Sequence, residues 1–104
     1  MREVFTGKED LRCWVGATVK NGEARVDFEY VCEDFIPNGG SITYSYTFDR
    51  ENTAKLIALF EEKYEGSLEE MLVAAEEKDD ELCSFEKVCP ANNIVYTRKE
   101  YIVV

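Results

Sequence analysis

Four cysteines and 22 acidic side chains are the residues of this 104-residue chain with obvious chemical potential, and no histidine accompanies them. A nucleophilic Ser or Cys needs a positioned base, so Ser-His-Asp and Cys-His arrangements are excluded, and no nucleophile elbow is present. Cys13, Cys32, Cys83 and Cys89 lack the close C-x2-C pairs of zinc sites, so no metal is expected. They read as reduced, structural thiols. Cys13 and Cys32 form a diagonal pair on one hairpin face, where packing is favoured over a disulfide, while Cys83 falls off the apolar stripe of its helix. Adjacent carboxylates such as Glu69 and Glu70 point in different directions from a helix and make poor acid–base pairs. Gly39-Gly40 is too short to cradle a phosphate and is followed by a strand. Neither a catalytic residue nor a cofactor site emerges, which points to a protein that binds and does not catalyse.

What remains conspicuous is the distribution of charge. The formal net charge is −10, yet residues 61–86 hold eleven of the acids (Glu61, Glu62, Glu65, Glu69, Glu70, Glu76, Glu77, Asp79, Asp80, Glu81 and Glu86) against Lys63 and Lys78. The rest of the chain is almost neutral. A solvated helix face explains part of this, because Glu favours helices and net charge keeps a protein soluble. Concentrated like charge also repels itself within a Debye length of about 8–10 Å, and few lysines are interspersed to offset it. Such a patch repels nucleic acid and attracts basic surfaces, so direct DNA or RNA binding is not expected. The partner it suits is a basic protein surface, including the nucleic-acid-binding groove of an effector protein, where carboxylates stand in for phosphates.

Elements that must position this patch follow from periodicity. Asn21-Gly22 suits a type I′ turn and predicts a hairpin in which Lys20 faces Glu23, Val19 faces Ala24, Val15 faces Phe28 and Cys13 faces Tyr30. One face of that hairpin is apolar, and the other carries Trp14 beside Glu29. Residues 41–48 alternate again, with Ile42, Tyr44, Tyr46 and Phe48 on one side, and predict a third strand. At Asp49 the period changes to about 3.6: Asp49 caps a helix with the stripe Leu56, Ile57, Phe60 and Tyr64, stopped by Gly66. Ser67-Leu68-Glu69-Glu70 has the form of a capping box for a second helix bearing Leu68, Met71, Leu72 and Ala75. Asp79 and Asp80 can cap a third with Leu82, Phe85, Val88 and Cys89 inward, ended by Pro90 and Asn92-Asn93. Residues 94–104 read as a final strand, or a small hairpin, interrupted by the polar stretch 97–100.

The expected fold is one α+β domain over residues 1–104, ordered β-β-β-α-α-α-β: an antiparallel three-strand meander plus a C-terminal strand, packed on one face by two or three helices. No run approaches the roughly 18 apolar residues of a membrane span, and the first residues lack a secretory h-region, so a soluble cytoplasmic protein is expected. Trp14, on the polar hairpin face with Arg12 and Val31, is a second binding anchor unless the final strand or the loop at 33–38 folds over it. The chain is expected to be a monomer, or a homodimer through the open sheet face or an edge strand.

With its length, missing histidine, acidic run at 61–86 and compact β-β-β-α-α-α-β pattern, the chain resembles the small acidic inhibitors of phages and other bacterial mobile elements, among which are the anti-CRISPR proteins. The resemblance implies obstruction: several members of that class bind CRISPR effector proteins, and some occupy the basic surface meant for DNA. It rests on no motif, so it carries over no site residue.

Overall fold

The computed structural model describes residues 2–4, 11–32 and 40–103. Its core element is the predicted hairpin. β2 (Leu11–Lys20) and β3 (Glu23–Cys32) pair antiparallel from Lys20↔Glu23 to Leu11↔Cys32, through a turn in which Asn21 (φ 55°) and Gly22 (φ 80°) both take the left-handed backbone that a type I′ turn requires. The Arg50 side chain lies across this turn, its Nε donating to the Asn21 carbonyl at 2.7 Å, and a Cβ on Gly22 would meet Arg50 Cγ at 3.0 Å.

β4 (Ser41–Phe48) adds to β3, and β5 (Thr97–Val103) adds to β4. A short strand β1 (Arg2–Val4), absent from the sequence expectation, pairs with the other side of β2. The sheet thus runs β1-β2-β3-β4-β5, every neighbour antiparallel. The polar stretch 97–100 is not an interruption but the strand itself. Lying at the sheet edge, β5 is wetted on much of its surface, so its sequence need not alternate cleanly. Ile94 instead precedes the strand and is buried in the core.

Three helices cover one sheet face. α1 (Arg50–Glu61) starts at Asp49, whose carboxylate accepts from the Asn52 N–H at 2.9 Å. It ends earlier than its stripe predicted, so Tyr64 is buried from the following turn. α2 (Leu68–Glu77) has the capping box reciprocally formed: the Glu70 N–H donates to Ser67 Oγ and the Ser67 N–H to Glu70 Oε1, both at 3.1 Å. Past α2, Asp80 caps only a 3₁₀ turn (Glu81–Cys83), with Asp79 in the left-handed region before it (φ 53°), and α3 (Phe85–Ala91) begins after Ser84.

The inner face of the sheet, with Val4, Cys13, Val15, Ala24, Val26, Phe28, Tyr46 and Phe48, closes against Leu56, Phe60, Leu68, Met71, Leu72, Ala75, Phe85 and Cys89. Phe85 is the centre of this core. Its ring meets Tyr46, Phe28, Phe48 and Phe60 at centroid distances of 5.1, 5.5, 5.7 and 6.4 Å, all near-perpendicular, the arrangement aromatic quadrupoles prefer. Two buried polar residues stitch α1 to the strands and to the segment that enters β5. Thr53 Oγ1 accepts from the Ala24 N–H (2.9 Å) and donates to the Phe48 carbonyl (3.2 Å), and Asn52 Oδ1 accepts from the Val95 N–H at 2.7 Å.

Candidate protein-binding face

The acidic segment starts on the last residue of α1 and passes through α2 to α3. Its members divide by task. Glu70 is committed to the capping box, which holds its carboxyl below the ordinary value through the Ser67 backbone and hydroxyl. Glu69, half-buried, turns toward the sheet edge. Its Oε1 accepts from the Ala17 N–H at 3.2 Å and its Oε2 pairs with Arg2 Nε at 3.3 Å. β1 reaches only as far as Val15, so this carboxylate covers a donor that the strand beyond leaves open.

Asp80 is the organiser. It accepts from the Tyr64 hydroxyl at 2.6 Å and the Leu82 N–H at 3.0 Å, and it faces Lys63 Nζ at 3.6 Å. The Tyr64 hydroxyl, foremost, holds this carboxyl below its ordinary value, and the same bond pushes the phenol up to about 12. Lys78 places its ammonium 5.3 Å from the Tyr64 ring centre. Together these contacts fold the connector after α2 back onto the turn after α1. Glu61, Glu62 and Glu65 lie at and after the end of α1, and Glu77, Asp79 and Glu81 at and after the end of α2. All six are exposed, and none has an ion pair among the described residues. Glu86 stands apart on α3, 3.5 Å from Arg98 Nε.

Glu76 belongs to the interior edge. Burial raises its carboxyl above the ordinary value of 4.5, Asp79 adds to the rise, and a hydrogen bond from Cys83 opposes it. It shares a pocket of groups with Cys13 and Tyr30. The Cys13 thiol is pushed up to about 12 by burial, with help from Glu76, and the Cys83 thiol is also raised, again mainly by burial. These thiols are poor nucleophiles, because it is the thiolate that reacts. Cys13, Cys83 and Cys89 are free thiols; the packing expected of Cys13 against Cys32 involves a side chain outside the described residues. Cys83, off the apolar stripe, sits where its thiol can face Glu76 and the Leu72 carbonyl (3.9 Å).

A pH-dependent stability follows from Glu76. Its folded carboxyl holds a proton more tightly than the unfolded one, so ionising it costs folding free energy. That cost is absent well below 4.5 and fully present above the raised folded value. Glu76→Gln removes that cost and is expected to raise Tm at pH 7. The gain shrinks as pH falls toward 4. An equal gain at both pH values in thermal melts overturns the assignment.

Trp14 is not part of the acidic side. The helices cover the opposite sheet face, and Trp14 lies half-buried on the open one, in the cross-strand row Glu3, Trp14, Glu29, Thr43 and Tyr101. Arg12 stands with its guanidinium 5.9 Å from the indole. β5 does not fold over the indole but forms the far edge of the sheet; the loop at 33–38 lies outside the described residues. The outward-facing acids, on the helical side, and Trp14, on the open sheet face, are therefore two separate candidate surfaces. No group of three or more metal-ligating side chains exists among the described residues, and no helix there is long and apolar enough to cross a membrane.

In comparisons with protein families, curated proteins and solved structures, nothing matches this chain.

Proposed function

We propose that this domain is a non-catalytic protein-binding module, an inhibitor that docks its acidic helical side on a basic protein surface, as anti-CRISPR proteins do with effectors that bind nucleic acid. The observation that supports this is the set of six exposed carboxylates, Glu61, Glu62, Glu65, Glu77, Asp79 and Glu81, none with an ion pair among the described residues, on two segments that Asp80 joins through Tyr64 and Lys63 and where Lys63 and Lys78 are outnumbered. Like charges held close cost stability unless a partner relieves them, and a basic partner gains both speed of association and selectivity from them.

The test is capture from the native host's lysate at low and high salt, with mass spectrometry of what is retained. It compares the parent chain with a variant carrying Glu61→Lys, Glu62→Lys, Glu77→Lys and Glu81→Lys. The side chains of these four make no hydrogen bond among the described residues, so the fold is expected to survive. A partner held at low salt should be lost at high salt and lost to the variant, with affinity reduced at least about tenfold. Retention indifferent to both sinks the reading.

A second reading, assembly through the sheet, is favoured by a different observation: Tyr101 (47% exposed) and Ile102 (61%) stand on opposite faces of the edge strand β5. It predicts a light-scattering mass of two chains at tens of micromolar, falling to one when both residues are changed to Ser. A mass of one chain for the parent removes it.

A further inference from the structure

The turn of the β2–β3 hairpin carries a chemistry of its own. In an asparagine followed by glycine, the backbone nitrogen of the second residue can attack the side-chain amide of the first, because glycine has no Cβ to obstruct the approach. Asn21 and Gly22 are both exposed to the water that the reaction consumes. The Gly22 N–H gives its proton to solvent, its nitrogen bonds to Asn21 Cγ, and the Cγ–Nδ2 bond breaks, the side-chain nitrogen leaving as ammonia with a proton returned by solvent. Water then opens the cyclic imide. Cleavage at the Asn21 main-chain carbonyl gives isoaspartate, and cleavage at Cγ gives aspartate.

The fold holds this reaction back. A five-membered imide requires the Gly22 nitrogen and Asn21 Cβ to be eclipsed about the Asn21 Cα–C bond. In the type I′ turn Asn21 (φ 55°) takes a left-handed ψ of roughly +30 to +50°, which sets those two atoms nearly opposite one another. Ring closure therefore waits for the turn to open. Two contacts keep it shut, both from Arg50, the first residue of α1. Its Nε donates to the Asn21 carbonyl at 2.7 Å, and its stem packs over Gly22, where a Cβ would meet Arg50 Cγ at 3.0 Å and Cδ at 3.4 Å. A guanidinium on that carbonyl also favours loss of the Gly22 proton, yet a nitrogen held away from Cγ gains nothing from it. The product is not silent. Isoaspartate routes the main chain through Cγ and lengthens a two-residue loop that has ten facing pairs behind it, so the register has no slack to absorb the change.

We propose that Asn21 is a self-modification site, converted to isoaspartate at a rate set by the opening of its turn, and that Arg50 is the latch that keeps this conversion slow.

The test ages the full chain in mildly alkaline buffer, with samples taken over days for tryptic mass spectrometry. Cleavage after Lys20 and Arg25 separates Asn21 from Asn38-Gly39, a second Asn-Gly that lies outside the described residues and serves as internal reference. Conversion is read as replacement of the side-chain NH2 by OH, and labelling by isoaspartyl methyltransferase distinguishes isoaspartate from aspartate. Asn21 is expected to convert about tenfold more slowly in the folded chain than in the chain held unfolded in guanidinium chloride. Arg50→Gln should raise the folded rate at Asn21 by about threefold or more and leave Asn38 unchanged. Equal rates in the folded and unfolded chain, an equal rise at Asn21 and Asn38, or an Asn21 rate in Arg50→Gln that is unchanged or slower overturns the latch. An Asn21 that stays intact in the unfolded chain overturns the site.

Discussion

Phe85→Ala is expected to cost about 3–5 kcal/mol, the usual toll for removing a fully buried phenylalanine, and to bring the protein close to its unfolding threshold at 25 °C. The physical reason is convergence. Phe85 is 1% exposed, and its ring is the contact shared by β3 (Phe28), β4 (Tyr46 and Phe48) and α1 (Phe60). A smaller side chain leaves a void bordered by four rings from three elements, and rings that pack edge to face cannot collapse into it without losing their own geometry. Phe85→Leu, which keeps most of the volume, should cost about 1–2 kcal/mol. Urea melts of the two variants check the pair. Equal losses would mean that aromatic geometry, and not volume, sets the cost.

Thr53→Val is the second large effect, expected at about 2–3 kcal/mol although the two side chains are nearly the same shape. The hydroxyl carries two buried bonds, accepting from the Ala24 N–H and donating to the Phe48 carbonyl. Valine leaves both backbone groups facing a methyl group, so each bears an uncompensated desolvation cost. Thr53→Ser supplies the control. It keeps the hydroxyl, loses one methyl group, and should cost about 1 kcal/mol. If valine costs no more than the roughly 1 kcal/mol expected of serine in chemical melts, the hydrogen bonds do not set the cost.

Much of the architecture was legible because its signals are local. Asn21-Gly22 admits one turn type, and once that turn is set the ten facing pairs of β2 and β3 follow by counting. Asp49 and Ser67 announce their helices through side chains that reach backbone only three residues away. What escaped depends on partners distant in the chain. β1 is three residues long, too short for a period, and exists because β2 offers it an edge. Asn52 and Thr53 look like ordinary polar residues on a helix; their burial is decided by Val95 and Ala24, 43 and 29 positions away. The same limit applies to the candidate binding face. Composition located the acids, but could not tell Asp80, Glu69 and Glu76, turned toward tyrosine, backbone and thiol, from the six that face outward.

The sheet is a plain meander with one detour. β2, β3 and β4 each lie beside the strand that precedes them, but between β4 and β5 the chain spends residues 49–96 on its three helices and their connections before returning to pair Thr47 with Thr97. Closing a loop of that length has an entropic cost that local contacts do not offset, so β5 gains its register only once the helical layer has condensed on the sheet. The last strand is thereby a reporter on the layer it does not belong to: its amide protons exchange at a rate governed by the cohesion of the helices as well as by its own hydrogen bonds to β4.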